Sequence, residues 1–150
     1  MPSQTELDQK YLYMALAWSD LSKARRKKVG CLIVKNGGII SDGYNGMPSG
    51  FDNNCELHVD ASSMLASRAY KLVTRQEVLH AESNAITKLA KSTQSSEGST
   101  MYTTASPCVE CAKLIIQSGI KRLVFKELYR DDKGVKLLKK AGIIVDQYEL

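Results

Sequence analysis

The residues of this chain best suited to chemistry are His80-Ala81-Glu82 and, further along, Pro107-Cys108-Val109-Glu110-Cys111. One imidazole and two thiols suit a zinc ion better than a hard, oxygen-seeking cation. Three protein ligands leave a fourth position open, and water held there loses a proton near neutral pH because the cation stabilises hydroxide. Glu82, two residues past a ligand, can lean toward that water without coordinating the ion, as a general base must. Alone, Cys-x-x-Cys could be a redox pair or half of a four-ligand structural zinc site. Alone, His-x-Glu says almost nothing. The combination is what carries weight.

These side chains need elements to position them. Ser106 reads as an N-cap and Pro107 as the first helical residue, which predicts a helix over 107–118 with Cys108 and Cys111 on its first turn. The positive end of that helix favours thiolate, and Gly119 is suited to a left-handed C-cap. His80 opens a second helix over 80–91, because Ala85, Ile86, Leu89 and Ala90 follow at helical spacing. Two helix N-termini would then face one cation.

The rest of the chain supplies the frame. Ser3 and Glu6 predict a capping box for an amphipathic helix over 5–22, with Tyr11, Ala15, Trp18 and Ser22 on one stripe broadened by Leu12, Met14 and Leu16, all read as core. The apolar run 29–34, the turn Asn36-Gly37-Gly38 and then Ile39-Ile40 predict a hairpin, with Cys31 as a small buried hydrophobe. Residues 51–79 carry the weakest pattern. Asp60 is read there as the cap of a helix over 61–72, with Met64, Leu65, Ala69 and Leu72 inward. A polar loop over 92–99 precedes a strand at 100–104, and a further strand covers 122–125. Asp131 or Asp132 caps a last helix with Val135, Leu138 and Ala141 inward, closed by Gly142, before a strand at 143–145. Strands alternating with helices from 80 to 146 predict parallel pairing there, beside an antiparallel early hairpin. The expected class is α/β, three layers (α/β/α) around a five-stranded mixed sheet.

Composition sets outer bounds. The chain has 150 residues, 43% hydrophobic and 25% charged, and is read as a single domain over 1–150. The start MPSQTELDQK is polar and unlike a secretory leader, and no stretch has the length of a membrane span. Reduced or metal-bound cysteines and a cytoplasmic setting are therefore expected. A net charge of +5 does not by itself point to nucleic acid, and it also suits a site for anionic nucleotides. In the run Lys23-Ala24-Arg25-Arg26-Lys27-Lys28 a solvated surface is the plain reading, and an arginine meeting a phosphate the sharper one. Gly43, Gly46, Pro48 and Gly50 make 43–50 a turn, although glycines also let backbone approach a phosphate or a sugar. Cys55-x-x-His58 is half a zinc site without partner ligands nearby, so a second, structural zinc is not expected.

His-x-Glu followed by Pro-Cys-x-x-Cys matches the signature of zinc-dependent nucleobase deaminases. Residues 107–120, PCVECAKLIIQSGI, and 43–50, GYNGMPSG, narrow the match. Over about residues 8–146 the chain resembles the deoxycytidylate (dCMP) deaminases of the zinc-dependent cytidine deaminase superfamily. That resemblance implies a cytidine-deaminase-like fold and hydrolytic deamination of dCMP to dUMP, upstream of thymidylate synthesis. It implies His80, Cys108 and Cys111 as ligands of one catalytic Zn2+ and Glu82 as proton carrier. The backbone of Ala81 and Ser106 would grip the base edge, Tyr129 would pack on the ring, and Asn45 would contact the deoxyribose. Arg26, ahead of Arg130, suits the 5′-phosphate as a bidentate guanidinium.

The resemblance further implies a regulatory site in a homo-oligomer, for which a hexamer is one form. Gly43, Tyr44, Asn45, Gly46, Pro48 and Gly50 would bind an activating dCTP or an inhibiting dTTP there, with Mg2+ accompanying the triphosphate. Neither a nucleic-acid nor a membrane partner is expected. Three alternatives stay open. One is a deaminase acting on dCTP as well as dCMP. Another is a tRNA adenosine or DNA cytosine deaminase, opposed by the few surface aromatics and the lack of a sustained basic stripe. The third is a zinc-stabilised module without turnover, opposed by Glu82.

Overall fold

The computed structural model of the protein describes residues 1–60 and 70–150. Helix α1 (Gln4–Ser19) opens with the expected capping box: Glu6 N–H donates to Ser3 Oγ at 3.2 Å and Ser3 N–H donates to Glu6 Oε2 at 2.7 Å. Strands β1 (Gly30–Lys35) and β2 (Gly38–Tyr44) form the expected hairpin. Asn36 (φ 50°) and Gly37 (φ 76°) both take the left-handed backbone that a two-residue hairpin turn requires.

Strand β3 (Glu56–Asp60) pairs antiparallel with β4 (Tyr70–Thr74) in a separate two-stranded sheet. This corrects the helix expected over 61–72: its residues 61–69 lie outside the described residues, and residues 70–72, Leu72 among them, belong to β4. The polar-apolar alternation Glu56-Leu57-His58-Val59 is the period-two signal that an isolated helix reading overlooked.

The remaining elements alternate. Helix α2 (Ala81–Leu89), strand β5 (Thr100–Ala105), helix α3 (Val109–Gln117), strand β6 (Arg122–Glu127), helix α4 (Lys133–Lys140) and strand β7 (Ile144–Gln147) follow in order. The main sheet runs β2-β1-β5-β6-β7, antiparallel across β2, β1 and β5 and parallel across β5, β6 and β7. It is the five-stranded mixed sheet expected, and helices cover both faces.

Strand alternation decides which side chain feeds which layer. Cys31, Ile33, Met101, Leu123 and Phe125 pack against α2, α3 and α4 through Ala81, Ala85, Ala112, Ile115, Val135 and Leu138. Leu32, Val34, Tyr102 and Val124 face the other way, onto Leu12 and Ala15 of α1. In α4, Val135 and Leu138 are buried as expected, but Ala141 is exposed because the helix has already ended at Lys140.

The stripe of α1 differs from expectation. Its buried residues are Asp8, Leu12, Ala15 and Ser19, whereas Met14, Leu16 and Trp18 (39% exposed) lie outward. Ser22 lies beyond the end of the helix. A buried ion pair fixes the helix's rotation. Asp8, 0% exposed, accepts from Arg122 Nη1 at 2.8 Å and Nη2 at 2.7 Å, from Tyr102 Oη at 2.6 Å and from Gln4 Nε2 at 2.9 Å. Arg122 also reaches Asp146, so this cluster ties α1 to β5, β6 and β7. Trp18 instead donates its indole N–H to Asp42 at the sheet edge. No helix among the described residues is long and apolar enough to cross a membrane.

Burial alone would raise the Asp8 carboxyl, but the hydrogen bonds from Arg122, Tyr102 and Gln4, with the Arg122 charge, hold it at about 2 against an ordinary 3.8. The native state therefore binds fewer protons than the unfolded chain between those values. The stabilisation, roughly 2 kcal/mol, is complete above pH 4 and is lost as pH falls toward 2. Urea unfolding of Asp8→Asn should show about that deficit at pH 7 and a shrinking one at pH 2–3; a deficit independent of pH would contradict the assignment.

Candidate metal centre and active site

The first turn of α3 begins two residues later than expected. The N-cap is Cys108, whose Sγ accepts the Cys111 N–H at 3.5 Å. Ser106 stays extended, with its N–H donating to Glu127 O at 2.9 Å and its Oγ accepting from Tyr129 N–H at 2.8 Å. A thiolate does the capping work of a serine oxygen, since an anion at a helix N-terminus meets unpaired N–H groups and the positive end of the dipole.

His80 holds the N-cap position of α2 but makes no side-chain cap bond, which leaves its ring to turn toward the cysteines. Its Nδ1 lies 3.5 Å from Cys108 Sγ and 3.3 Å from Cys111 Sγ, and all three donor atoms fall within 4.8 Å of one another. Tetrahedral zinc with ordinary Zn–S and Zn–N bonds separates such donors by about 3.5–3.8 Å. The set therefore fits zinc after a small outward relaxation. Charge is arranged to match. Hydrogen bonding from the Cys111 thiol, and then from His80, lowers the Cys108 thiol to about 3, while the same contact and burial push the Cys111 thiol up. A cation would displace that last proton.

Glycine permits the close approaches that bring these groups together. A Cβ on Gly43 would lie 2.4 Å from the Ala81 carbonyl oxygen, so α2 can seat its first turn against β2 only because the position is bare. Gly46 and Leu79 then exchange backbone hydrogen bonds of 3.0 and 2.8 Å immediately before His80. A Cβ on Gly134 would lie 2.0 Å from the Pro107 carbonyl, so α4 braces the cysteine loop in the same way.

Glu82, 4% exposed, reaches the same spot from α2. Burial raises its carboxyl, against the pull of the Cys111 hydrogen bond, the His80 charge and Thr103. Thr103 Oγ1 lies 3.1 Å from Glu82 Oε1 and 2.9 Å from Ala105 O, which sets the carboxyl's orientation. Thr103 was missed from sequence. Its signal was alternation, since it shares a strand face with Met101 and therefore points toward α2.

A cavity of about 170 Å³ opens above this floor. His80, Ala81, Glu82 and Cys108 line its base, and Asn45, Ser106, Tyr129 and Arg26 line its walls with Arg130. It widens into an outer cavity of about 470 Å³ that adds Asp131 and Lys133. Asn45 is also a staple: its Oδ1 accepts Val29 N–H at 2.9 Å and its Nδ2 donates to Lys27 O at 2.8 Å. Arg130 takes a left-handed backbone (φ 29°) and stacks its guanidinium 5.3 Å from the centre of the Tyr129 ring. Of the 43–50 segment, Gly43 is committed to packing against α2 and Gly46 to the backbone bridge with Leu79. Tyr44 is exposed with its carbonyl accepting from Asn84 Nδ2, and Gly50 (φ 89°) lies in a turn that Phe51 N–H closes by donating to Pro48 O.

Residues 5–127 match the family model of the cytidine and deoxycytidylate deaminase zinc-binding region. The chain belongs to this family. A deoxycytidylate deaminase of Enterobacteria phage T4 is 36% identical over 165 residues, covering 89% of this chain and 86% of that protein. The Homo sapiens deoxycytidylate deaminase is 38% identical over 124 residues, 79% of this chain and 65% of that protein. The crystal structure of a dCMP deaminase from cyanophage S-TIM5 in complex with dCMP and dUMP superposes with a TM-score of 0.85 at 39% identity, covering 98% of this chain and all of that one.

The donor geometry generates a direct expectation. Protein dialysed with zinc should retain about one ion per chain; His80→Ala and Cys111→Ala should lose it, and Cys31→Ala should keep it, by plasma emission spectrometry. Retention by both ligand variants would contradict the assignment.

Proposed function

We propose that this chain is a zinc-dependent enzyme that hydrolyses dCMP to dUMP and ammonia, supplying dUMP for thymidylate synthesis. The observation that carries this reading is the convergence of His80, Cys108 and Cys111 with the buried carboxyl of Glu82 beneath a cavity that has Arg26 on its wall. The names of the relatives and the dCMP and dUMP held by the cyanophage structure support the choice of substrate.

His80, Cys108 and Cys111 would hold the zinc, which when bound supplies the Lewis acidity that brings water to ionisation near neutral pH. Deamination requires water to add at C4 of the ring, a proton to reach N3, and a second proton to accompany ammonia as it leaves. Glu82 serves each transfer. Burial raises its carboxyl toward the range in which it can both take and return a proton, and Thr103 holds one oxygen still. The N–H of Ala81, at the free end of α2, suits the base O2. The Ser106 N–H is engaged by Glu127, so Ser106 offers its carbonyl to the exocyclic amine. Tyr129 packs on the ring, the remaining amide hydrogen of Asn45 suits the deoxyribose, and Arg26 takes the 5′-phosphate.

Segment 43–50 binds the effectors in a homo-oligomer, dCTP activating and dTTP inhibiting. The Gly46–Leu79 bridge next to His80 gives such binding a short route to the site. A second reading, turnover of dCTP as well, is favoured by the outer cavity, where Arg130 and Lys133 would meet further phosphates.

Two assays test the reading. Uracil release from dCMP, dCTP, cytidine and deoxycytidine should favour dCMP, with sigmoidal kinetics straightened by dCTP and depressed by dTTP; equal turnover of the bare nucleosides would reject the substrate. Glu82→Gln should lose at least about a hundredfold in kcat while keeping its zinc, and undiminished turnover would remove the role given to Glu82.

A further inference from the structure

The run 25–28 offers four cations, and the fold sorts them. Arg25 Nε lies 3.3 Å from Glu56 Oε2, and Lys27 pairs with Glu127. Arg26 lines both cavities, and among the described residues no ion pair engages it.

Glu56 explains how that loop is held. It is 1% exposed, yet its carboxylate accepts the Arg25 N–H at 2.7 Å and the Arg26 N–H at 3.2 Å. Burial alone would raise this carboxyl, but those two N–H groups, with the Arg25 side chain, hold it below the ordinary carboxylate value. Successive backbone N–H groups aimed at one anion form the kind of nest in which loops bind phosphate. In this chain the nest is filled by the protein's own carboxylate. That nest is therefore closed to a substrate phosphate, and the Arg26 side chain is the group at this wall that can meet one.

Directly opposite Glu56 on the β3–β4 ladder stands Thr74, whose Oγ1 accepts from Arg26 Nη1 at 3.0 Å. One rung of the β3–β4 ladder grips both ends of one arginine: Glu56 holds its backbone and Thr74 its guanidinium. A guanidinium has five N–H donors, and one bond to Thr74 leaves four. Fixing so flexible a side chain in advance lowers the entropy lost when it closes on a ligand.

We propose that Glu56 and Thr74 are positioning residues for phosphate recognition, holding Arg26 at the cavity wall where a bidentate grip on the 5′-phosphate of a nucleoside monophosphate selects that substrate over the bare nucleoside. This rests on the dCMP reading above. Both residues line the cavity wall beside Arg26, and the hydrogen bonds each makes to Arg26 are the route by which they act on the phosphate.

The test uses Thr74→Val and Glu56→Gln, each alone and combined with Arg26→Ala, with kinetics on dCMP and deoxycytidine. Each single variant should cut the kcat/KM preference for dCMP about tenfold, through KM. In the Arg26→Ala background neither should cut it further, because the residue they position is gone. Parallel losses on both substrates, or losses that add to that of Arg26→Ala, would make the rung a structural brace and overturn the proposal. Thr74 is exposed and valine is close to it in shape, so Thr74→Val keeps the test decisive even if Glu56→Gln folds poorly. A wild-type enzyme with no preference for dCMP would instead overturn the substrate reading itself.

Discussion

Two helices that begin at the same place are the constraint on which the site rests. Three donors can share a cation only if the N-terminus of α2 and that of α3 approach within a few ångströms. Backbones cannot come so close where side chains intervene. Gly43 beneath Ala81 and Gly134 against Pro107 remove the obstructing atoms, and β5 delivers the cysteine loop between them. The converging dipoles then make the spot favourable for thiolate before any cation arrives.

The same constraint shapes the acid–base chemistry. Glu82 is the second residue of α2, so the approach that places His80 also drives this carboxyl out of water and against Thr103. Desolvation makes it hold a proton more tightly, while the hydrogen bonds from Cys111 and Thr103 pull the other way. A group balanced like this can serve as base and acid in turn, which no exposed glutamate does as well. The cavity walls come from segments far apart in the chain, and Asn45 locks two of them together through its amide.

Much of this was legible in the sequence where the information is local. His-x-Glu and Pro-Cys-x-x-Cys are spaced by the helix turn, so ligand type and spacing declare themselves within a few residues. The alternation from 80 to 146 similarly announced the parallel half of the sheet, and Asn36-Gly37 the hairpin. What escaped depends on distant partners. The rotation of α1 follows from Asp8 meeting Arg122, more than a hundred residues away. Strand β3 has a local signal in the alternation at 56–59, but the rung that sets Glu56 opposite Thr74 shows only in three dimensions. The N-cap of α3 was misplaced because propensity favours serine, whereas a sulfur held as thiolate by two neighbours outcompetes it.

The central claim is a three-ligand centre with one position left to solvent or substrate. Zinc K-edge X-ray absorption on the loaded protein measures that coordination most directly. Two sulfur and two nitrogen or oxygen scatterers are expected around the ion. A sulfur count other than two, or the multiple scattering of a second imidazole in the shell, would contradict it.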